Sequence, residues 1–305
     1  MSKFLITIVG PTAIGKTSLA IKLAKHYKTE VISADSRQFY RELNIGTAKP
    51  SKDELSSVKH HLINNISVTD KYDISQFESD ARKIIENLFK TKDYIILVGG
   101  SGLYIDTILY GIDKIPDVED SLRKKLNEEF QNNGLKNLIT QLKKIDPVTY
   151  KNIDLSNHRR IIRALEVSIS SKKPYSSFLT NSVKASNYNE IIIGLNCDRD
   201  KLHSLINKRV DKMIQCGLIE EVEKLVKFKN LNALNTIGYK EIFDYLNNKT
   251  SLEESIEKIK TNSRRYAKRQ LTYFNSNKKI NWFENQYEIK NIIKLIESRN
   301  ELLNN

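Results

Sequence analysis

The sequence predicts an α/β protein in which a parallel β-sheet is flanked by helices. Apolar runs alternate with segments at helical spacing, a pattern that indicates parallel strands joined by right-handed crossovers. A G-x-x-x-x-G-K-T segment lies between the first apolar run and the first helical segment. A long central stretch has no strand character, which predicts a helical insertion in the α/β unit.

Four apolar runs predict the strands of the sheet, because a continuously apolar run is typical of a strand buried on both faces. They are "FLITIVG", "EVISADS", "YIILVGGSG" and "NEIIIGLN", which begin at Phe4, Glu30, Tyr94 and Asn189. Helical spacing is found in "TSLAIKLAKHY" after the first run and in "DISQFESDARKIIENLFK" before the third. After the fourth run, "KLHSLINKRVDKMIQCG" predicts a helix that ends at a capping glycine.

The central stretch contains "SLRKKLNEEF", "LKNLITQLKKI" and "HRRIIRALEVSIS", all at helical spacing. We therefore predict two domains. Residues 1–116 and 187–305 form the α/β core with a helical C-terminal part, and residues 117–186 form the helical insertion domain.

The segment "GPTAIGKT" predicts a phosphate-binding loop, called the phosphate loop below. Its glycines let backbone N–H groups surround phosphate oxygens, and the helix that follows adds partial positive charge. Lys16 supplies a mobile cation, and Thr17 supplies a hydroxyl for Mg²⁺. The predicted binding residues for a diphosphate or nucleotide are Gly10, Pro11, Thr12, Ala13, Ile14, Gly15, Lys16 and Thr17.

The residues after the third strand differ from those of an ordinary phosphate-loop NTPase. Such enzymes hold Mg²⁺ through a second acid at the end of another strand, whereas this strand ends in "ILVGGSG" and offers the Ser101 hydroxyl. The acid at this edge is Asp35, which follows the second strand. It could act as a general base, as in a small-molecule kinase, or as a helix N-cap together with Ser36. The residues alone leave both interpretations open.

The chain is strongly basic, with a formal net charge of +13 over 305 residues. Two clusters carry much of this charge. The first runs from Lys258 to Lys279 without an acid, and the second is "HRRIIR" from His158 to Arg163. Such clusters suit a polyanion, since phosphate contacts release counterions. A general compositional bias toward Lys, Asn and Ile is an alternative explanation of the high net charge.

Other features exclude several protein classes. The two cysteines, Cys197 and Cys216, form no C-x-x-C pair or Cys/His cluster, so neither a zinc site nor a disulfide framework is predicted. The opening residues are expected to form a strand rather than a targeting segment, and no apolar run approaches the length of a membrane helix. We expect a cytoplasmic protein and, since no coiled-coil pattern is present, a monomer.

Six segments together resemble the bacterial tRNA dimethylallyltransferase (tRNA isopentenyltransferase) family. They are "GPTAIGKT", "SADSRQFYRELNIGTAKP", "LVGGSGLYID", "NHRRIIRALEV", "IGYKE" and "RRYAKRQLTYF". They follow the family's order from the first strand to about Phe274. The chain has Ser101 where the family more often has Thr, and Tyr273 where Trp is common, and both keep the type of functional group.

The resemblance implies a P-loop NTPase-like sheet and a prenyl transfer reaction. The family moves a dimethylallyl group from dimethylallyl diphosphate to N6 of the adenine on the 3′ side of the anticodon. The phosphate loop would then hold the donor's diphosphate, with Thr17 reaching Mg²⁺ bound to that diphosphate. The implied catalytic residues are Asp35 as general base, Ser101 as a hydrogen-bonding partner of the adenine, and Arg209 as a cation on the diphosphate.

The resemblance also implies contacts with the anticodon stem-loop, some of them made by the insertion. A base has to leave its stack to enter such a site. The implied tRNA-binding residues are Asp35, Ser36, Arg37, Gln38, Ser101, Arg123, Arg159, Arg160, Ile161, Ile162 and Arg163.

Three alternatives remain at this stage. An adenylate isopentenyltransferase would use the same donor with a free nucleotide, but the two basic clusters count against it. A small-molecule phosphate-loop kinase would consume ATP, and it leaves the basic C-terminal segment unexplained. A non-catalytic GTPase-like module that binds nucleic acid would need a guanine-reading N-K-x-D motif, which the sequence lacks.

Overall fold

The computed structural model describes residues 2–180 and 187–304. The chain divides into two compact units. The first consists of Met1–Leu109 with Ala185–Asn305, and the second of Tyr110–Lys184. The insertion predicted at 117–186 begins and ends slightly later than this second unit.

Six strands in the described part of the chain form one sheet. They are β1 (Phe4–Val9), β2 (Val31–Ser33), β3 (His60–His61), β4 (Tyr94–Val98), β5 (Asn189–Asn196) and β6 (Ile280–Glu284). The spatial order is β3-β2-β4-β1-β5-β6, and every pairing is parallel. The predicted fold class is therefore confirmed. The two edge strands, β3 and β6, were not predicted.

Twelve α-helices complete the described part. They are α1 (Lys16–His26), α2 (Lys52–Ser57), α3 (Ile74–Phe89), α4 (Gly102–Tyr110), α5 (Asp120–Ile145), α6 (Pro147–Asn152), α7 (His158–Ser171), α8 (Arg199–Gln215), α9 (Leu218–Glu223), α10 (Tyr239–Leu246), α11 (Leu252–Asn275) and α12 (Ile289–Asn304). Within the described ranges, none of these helices has the length and apolar character needed to cross a membrane.

The main core lies around the sheet. All six residues of β1 are buried, since this strand lies between β4 and β5 and is covered by helices on both faces. Helix α1 packs on the sheet through Leu19, Ala20, Leu23 and Ala24, the stripe that the helical spacing predicted. A central parallel strand with no solvated face needs a continuous apolar run, which explains the composition of "FLITIV".

A second core cluster in the same unit joins helices α8 to α11 to the loop after β2. Its largest fully buried residue is Tyr239, which packs with Leu43, Leu218 and Ile242. The Tyr239 hydroxyl donates a hydrogen bond of 2.6 Å to Glu221. This cluster anchors the C-terminal helices beside the carboxyl end of the sheet.

The insertion unit has a core of its own. Leu126, Leu138, Ile161 and Leu165 are buried together between α5 and α7. Helix α5 is broken at Gly134, where φ is 73° and ψ is 177°. A positive φ is readily adopted by glycine, so this residue separates the two helical runs that the sequence predicted.

Candidate active site

The phosphate loop connects β1 to α1 and adopts a conformation that its glycines permit. Gly10 has φ of 140° and Gly15 has φ of 101°, a region that residues with a side chain rarely occupy. At Gly10 a Cβ would lie 2.5 Å from the carbonyl oxygen of Leu195 in β5. The loop is thus packed tightly against the neighbouring strand. Gly15, the N-cap residue of α1, has no side chain to occupy the amides at the start of this helix.

Lys16 is folded back onto the phosphate loop. Its Nζ donates a hydrogen bond of 2.7 Å to the carbonyl oxygen of Pro11. Burial and the positive charge of Arg209 lower the pKa of Lys16 to about 7, while Asp35 acts in the opposite direction. Burial also lowers the pKa of Arg209, again opposed by Asp35. Two cations are therefore held close together near one carboxylate, an arrangement that favours the binding of an anion.

Asp35 lies two residues beyond β2 at the carboxyl end of the sheet. Its Oδ1 accepts a hydrogen bond of 2.9 Å from the backbone N–H of Arg37. This is the local bond of an Asx turn, and the residues that follow form a turn rather than a helix. The N-cap alternative for Asp35 is therefore wrong.

Asp35, Arg209 and Tyr266 face one cleft with a volume of about 350 Å³. Burial and the charge of Asp35 raise the pKa of Tyr266, and a hydrogen bond with Ser101 opposes this shift. The Ser101 Oγ also accepts a weak hydrogen bond of 3.4 Å from the Ser36 N–H. The cleft is lined by Thr12, Ala13, Asp35, Ser36, Arg37, Gly46, Thr47, Ile206, Arg209, Val210, Met213, Asn235, Thr236, Ile237, Gly238, Lys240, Ile259, Ser263, Tyr266 and Arg269.

Glu221 holds the segment of the cleft wall that follows Asp35 in the sequence. The Glu221 carboxylate accepts hydrogen bonds of 3.0, 2.9 and 3.1 Å from the backbone N–H groups of Asn44, Ile45 and Gly46. A charged acceptor for three successive amides fixes this loop firmly. Sequence reasoning missed Glu221, since a glutamate in a helix gives no sign of a distant partner.

Gln38, which the resemblance placed at the tRNA site, is held by neighbours in the same unit. Its Nε2 donates hydrogen bonds of 3.3 Å to the Thr47 carbonyl and 3.5 Å to the Ala48 carbonyl. Arg37, which lines the cleft, donates a bond of 3.0 Å to the Asn232 carbonyl. These two side chains are therefore positioned by backbone acceptors rather than by each other.

Helix α11 contacts the phosphate loop directly through Gln270. Its Oε1 accepts a hydrogen bond of 2.8 Å from the Thr12 N–H. Its Nε2 donates another, also of 2.8 Å, to the Gly100 carbonyl. Gln270 is 5% exposed, so a single buried amide joins the phosphate loop to the loop after β4. Sequence reasoning did not single out this residue.

Some basic residues of α11 bind neighbouring side chains, whereas others are exposed. Arg264 donates a hydrogen bond of 2.7 Å to Asn207, and Lys260 pairs with Asp211 at 2.9 Å. Arg265, Lys268 and Arg269 are exposed, and the Arg269 guanidinium lies 5.7 Å from the centre of the Tyr266 ring.

Tyr273, one of the departures from the family pattern, contacts α4. Its hydroxyl donates a hydrogen bond to the Asp106 carboxylate. A Cβ at Gly102 would lie 2.1 Å from its ring, so the ring packs directly on the backbone where α4 begins. The large aromatic side chain at this position therefore depends on a glycine opposite it.

In the insertion unit, Glu166 is completely buried and pairs with two arginines. Arg123 donates bonds of 2.8 Å from Nε and 2.6 Å from Nη2, and Arg163 donates one of 2.7 Å from Nη1. Burial alone would raise the pKa of Glu166, but these two partners hold it below its usual value. Arg123 and Arg163 thus have a structural role whatever else they bind.

The insertion residues implied to contact tRNA differ in accessibility. Arg159 and Arg160 are exposed at the start of α7. Ile161 and Ile162 are 0% and 4% exposed and belong to the core of this unit. The side chains of Ile161 and Ile162 are therefore occupied by packing, and the tRNA contact implied for these two residues stays a prediction.

The residues that could hold a metal ion are few. Among the described residues, no group of three or more His, Cys, Asp or Glu side chains is arranged as a metal site. The loop after β4 carries Gly99, Gly100 and Ser101 instead of a carboxylate. Thr17 offers a hydroxyl at the start of α1. This donor set suits Mg²⁺, which is commonly bound together with substrate phosphates rather than by the protein alone.

The fold and the site define a phosphate-loop α/β protein with two partly buried cations and an acid at the carboxyl edge of its sheet. The model of the IPP transferase family matches residues 38–277. A tRNA dimethylallyltransferase of Christiangramia forsetii is 50% identical over 299 residues, covering 98% of this chain and 99% of the relative. One of Flavobacterium johnsoniae is 47% identical, covering 96% and 97%.

Solved structures give the same result. The full-length tRNA isopentenylpyrophosphate transferase of Bacillus halodurans matches with a TM-score of 0.72 and 36% identity, covering 100% of both chains. A eukaryotic dimethylallyltransferase described as acting on tRNA matches with a TM-score of 0.77 and 28% identity, covering 93% of this chain and 74% of that one. The chain belongs to the IPP transferase family, and the resemblance inferred from its six segments is confirmed.

Proposed function

We propose that this protein transfers a dimethylallyl group from dimethylallyl diphosphate to N6 of the adenine on the 3′ side of the anticodon of tRNA. The observation that carries the proposal is the placement of Arg209 and Asp35 in the wall of the cleft, with Lys16 of the phosphate loop close enough to both for their charges to shift its pKa. Curated relatives that span nearly the whole chain are named tRNA dimethylallyltransferases, which supports the choice of donor and acceptor.

On the donor side, the phosphate loop, Lys16 and Arg209 bind the diphosphate. Breaking the bond between C1 and the bridging oxygen leaves negative charge on the departing diphosphate. Two nearby cations and the amides of the loop stabilise that charge. Lys16, whose pKa in the free protein is about 7, becomes fully protonated when the anion arrives, because a neighbouring negative charge raises the pKa of a lysine.

The diphosphate brings Mg²⁺ with it, and Thr17 is the side chain that would reach this ion. Bound Mg²⁺ supplies further neutralisation of the diphosphate charge. The lack of a carboxylate in residues 99–101 after β4 fits a reaction that releases intact diphosphate and hydrolyses no ATP.

On the acceptor side, Asp35 is the general base. The bond from N6 to C1 forms as the bond from C1 to oxygen breaks, and the N6 proton becomes acidic during the attack. The Asp35 carboxylate takes this proton, and diphosphate leaves with the electrons of the broken bond. Ser101, which hydrogen-bonds Tyr266, orients the adenine beside Asp35.

The exposed basic residues bind the RNA backbone. Arg265, Lys268 and Arg269 on α11, and Arg159 and Arg160 on α7, are available to phosphates. RNA loops are favourable targets because their bases are already partly unstacked. We further propose that the protein acts as a monomer in the cytoplasm, where it meets its tRNA substrate.

A second candidate, an adenylate isopentenyltransferase, would use the same donor site with a free nucleotide as acceptor. The cleft does not distinguish these acceptors by itself. The exposed arginines of α7 and α11 favour the RNA, since a mononucleotide does not need cations spread along two helices.

The test is transfer of label from dimethylallyl diphosphate, with Mg²⁺, into unmodified tRNA, with AMP and ATP as competing acceptors. A matched tRNA in which the adenine beside the anticodon is replaced by guanine serves as the control. The proposal predicts label in the first tRNA alone. Label in AMP or ATP would assign the free-nucleotide activity instead, and no transfer to any acceptor would refute prenyl transfer.

A further inference from the structure

The Gln270 side chain lies between the loop proposed to bind the donor and the loop proposed to bind the acceptor. Its carbonyl oxygen binds the Thr12 N–H in the phosphate loop, and its amide nitrogen binds the Gly100 carbonyl, each at 2.8 Å. The phosphate loop holds the donor, whereas Gly100 immediately precedes Ser101 on the acceptor side. The two bonds come from opposite ends of one planar amide, so they set the separation between these loops.

The surrounding backbone is shaped to admit this amide. A Cβ at Gly100 would lie 2.2 Å from the Gln270 nitrogen, so any larger residue there would displace the side chain. A Cβ at Gly99 would lie 2.3 Å from the Ala34 carbonyl, next to Asp35. The loop after β4 is therefore held on one side by Gln270 and on the other by the segment that carries the base.

Gln270 is not itself placed to bind a substrate. Both of its polar atoms already have protein partners, and the residue is almost completely buried. Tyr266, one turn earlier on α11, faces the cleft. Helix α11 thus lines the cleft, through Tyr266 among other residues, and joins the two loops through Gln270.

We propose that Gln270 is a positioning residue that sets the distance between the donor diphosphate and the acceptor amine. The inference rests on the proposed function. A residue of this kind contributes to the rate of the chemical step and not to the binding of either substrate alone, because each loop can still bind its own ligand. A small misplacement of reacting atoms is enough to slow a transfer by about a hundredfold.

The test compares Gln270→Met with Gln215→Met. Methionine has a similar length and favours helices, but it can replace neither hydrogen bond. Gln215 ends α8 and is exposed. The control therefore makes the same substitution at a position that does not join the two loops. The measurements are the single-turnover transfer rate with both substrates saturating, the Kd of inorganic pyrophosphate, and the Kd of an anticodon stem-loop.

For Gln270→Met, we expect the single-turnover rate to fall by about thirtyfold to a hundredfold. Both Kd values should change by less than about threefold, and Gln215→Met should match the unsubstituted protein throughout. An unchanged rate would overturn the inference. An equal loss in pyrophosphate affinity would also overturn it, because Gln270 would then only shape the donor site.

A second variant, Gly100→Ala, tests the same two hydrogen bonds from the loop after β4 and does not depend on the stability of Gln270→Met. Gly100→Ala should displace the Gln270 amide and reproduce the rate loss. In Gln270→Ala the shortened side chain leaves room for the added methyl group, so Gly100→Ala should cost little more in that background. Fully additive losses would contradict a shared mechanism. Failure of the proposed function would appear separately, as the absence of transfer by the unsubstituted protein.

Discussion

The Nζ of Lys16 donates its hydrogen bond to the carbonyl oxygen of Pro11, which lies five residues earlier in the same loop. The lysine is therefore satisfied by a neutral acceptor in the free protein, while burial and Arg209 disfavour its charge. An incoming diphosphate replaces a neutral partner with an anionic one. The phosphate loop is thus expected to bind its ligand and a proton together.

This coupling predicts that diphosphate affinity falls with rising pH above about 7. The pKa of Lys16 is about 7 when the loop is free and higher when an anion is bound. Below the free pKa the lysine is already charged, whereas above it each binding event has to take up a proton. The affinity therefore decreases by up to about tenfold per pH unit, as measured by calorimetry with inorganic pyrophosphate.

The matched variant for this measurement is Lys16→Arg, since arginine stays charged throughout the range. Titration of pyrophosphate itself affects both proteins equally, so the difference between the two curves isolates Lys16. Parallel curves would show that Lys16 does not change its protonation on binding.

The two glycines of the phosphate loop predict unequal costs of substitution by alanine. A Cβ at Gly10 would meet the Leu195 backbone at 2.5 Å, whereas at Gly15 the space is open. Both positions have positive φ, so each substitution strains the backbone by about 1–2 kcal/mol. Gly10→Ala must in addition separate β1 from β5. We expect it to lower the free energy of unfolding in denaturant melts clearly more than Gly15→Ala, and equal losses would contradict the packing described here.

The Glu166 cluster predicts that Arg123 stabilises the insertion unit. Arg123→Ala leaves a buried carboxylate with only Arg163 as an ionic partner. Because the Arg123 side chain is 51% exposed, solvent screening reduces the loss, and we expect about 1–2 kcal/mol. Thermal unfolding or hydrogen exchange of the unit measures this loss.

Arg159→Ala is the control for this substitution, because Arg159 is exposed on the same group of helices. It should weaken anticodon stem-loop binding while leaving the unfolding temperature unchanged. If Arg123→Ala reduced RNA affinity without any loss of stability, the structural role assigned to the pair would be wrong.

The paired state of Glu166 also gives the insertion unit a pH dependence. Its pKa in the folded protein is held below the usual value, so the unfolded chain takes up a proton at a higher pH than the folded one. The associated stability is present above the unfolded pKa and is lost as the pH falls through the folded pKa. This dependence should be weaker in Arg123→Ala.

The sequence predicted the parts of the fold whose signal is local. The apolar runs at β1, β2, β4 and β5 are strands, because a strand buried on both faces must be apolar along its length. The edge strands β3 and β6 were missed. His60–His61 is a two-residue strand, and "INWFE" is only partly buried, so neither gives a continuous apolar run.

The candidate site was likewise predictable only where its residues give a local signal in the sequence. The phosphate loop and Asp35 stand out because their spacing relative to strands carries chemical meaning. Gln270 and Glu221 do not, since each binds backbone groups that are distant in the sequence. Gly100 lies 170 residues from Gln270, and Asn44 lies 177 residues from Glu221. A polar side chain in a helix reveals such a partner only when the chain is folded.

The most direct measurement is the effect of Asp35→Asn on the single-turnover transfer rate and on tRNA affinity. Asparagine keeps an oxygen that can accept the Arg37 N–H, so the turn is preserved while the base is lost. If Asp35 is the base, the rate should fall by about a hundredfold to ten-thousandfold, with the Kd of tRNA essentially unchanged. Equal losses in rate and affinity, or no loss in either, would contradict the assignment of Asp35 as the base of a prenyl transfer.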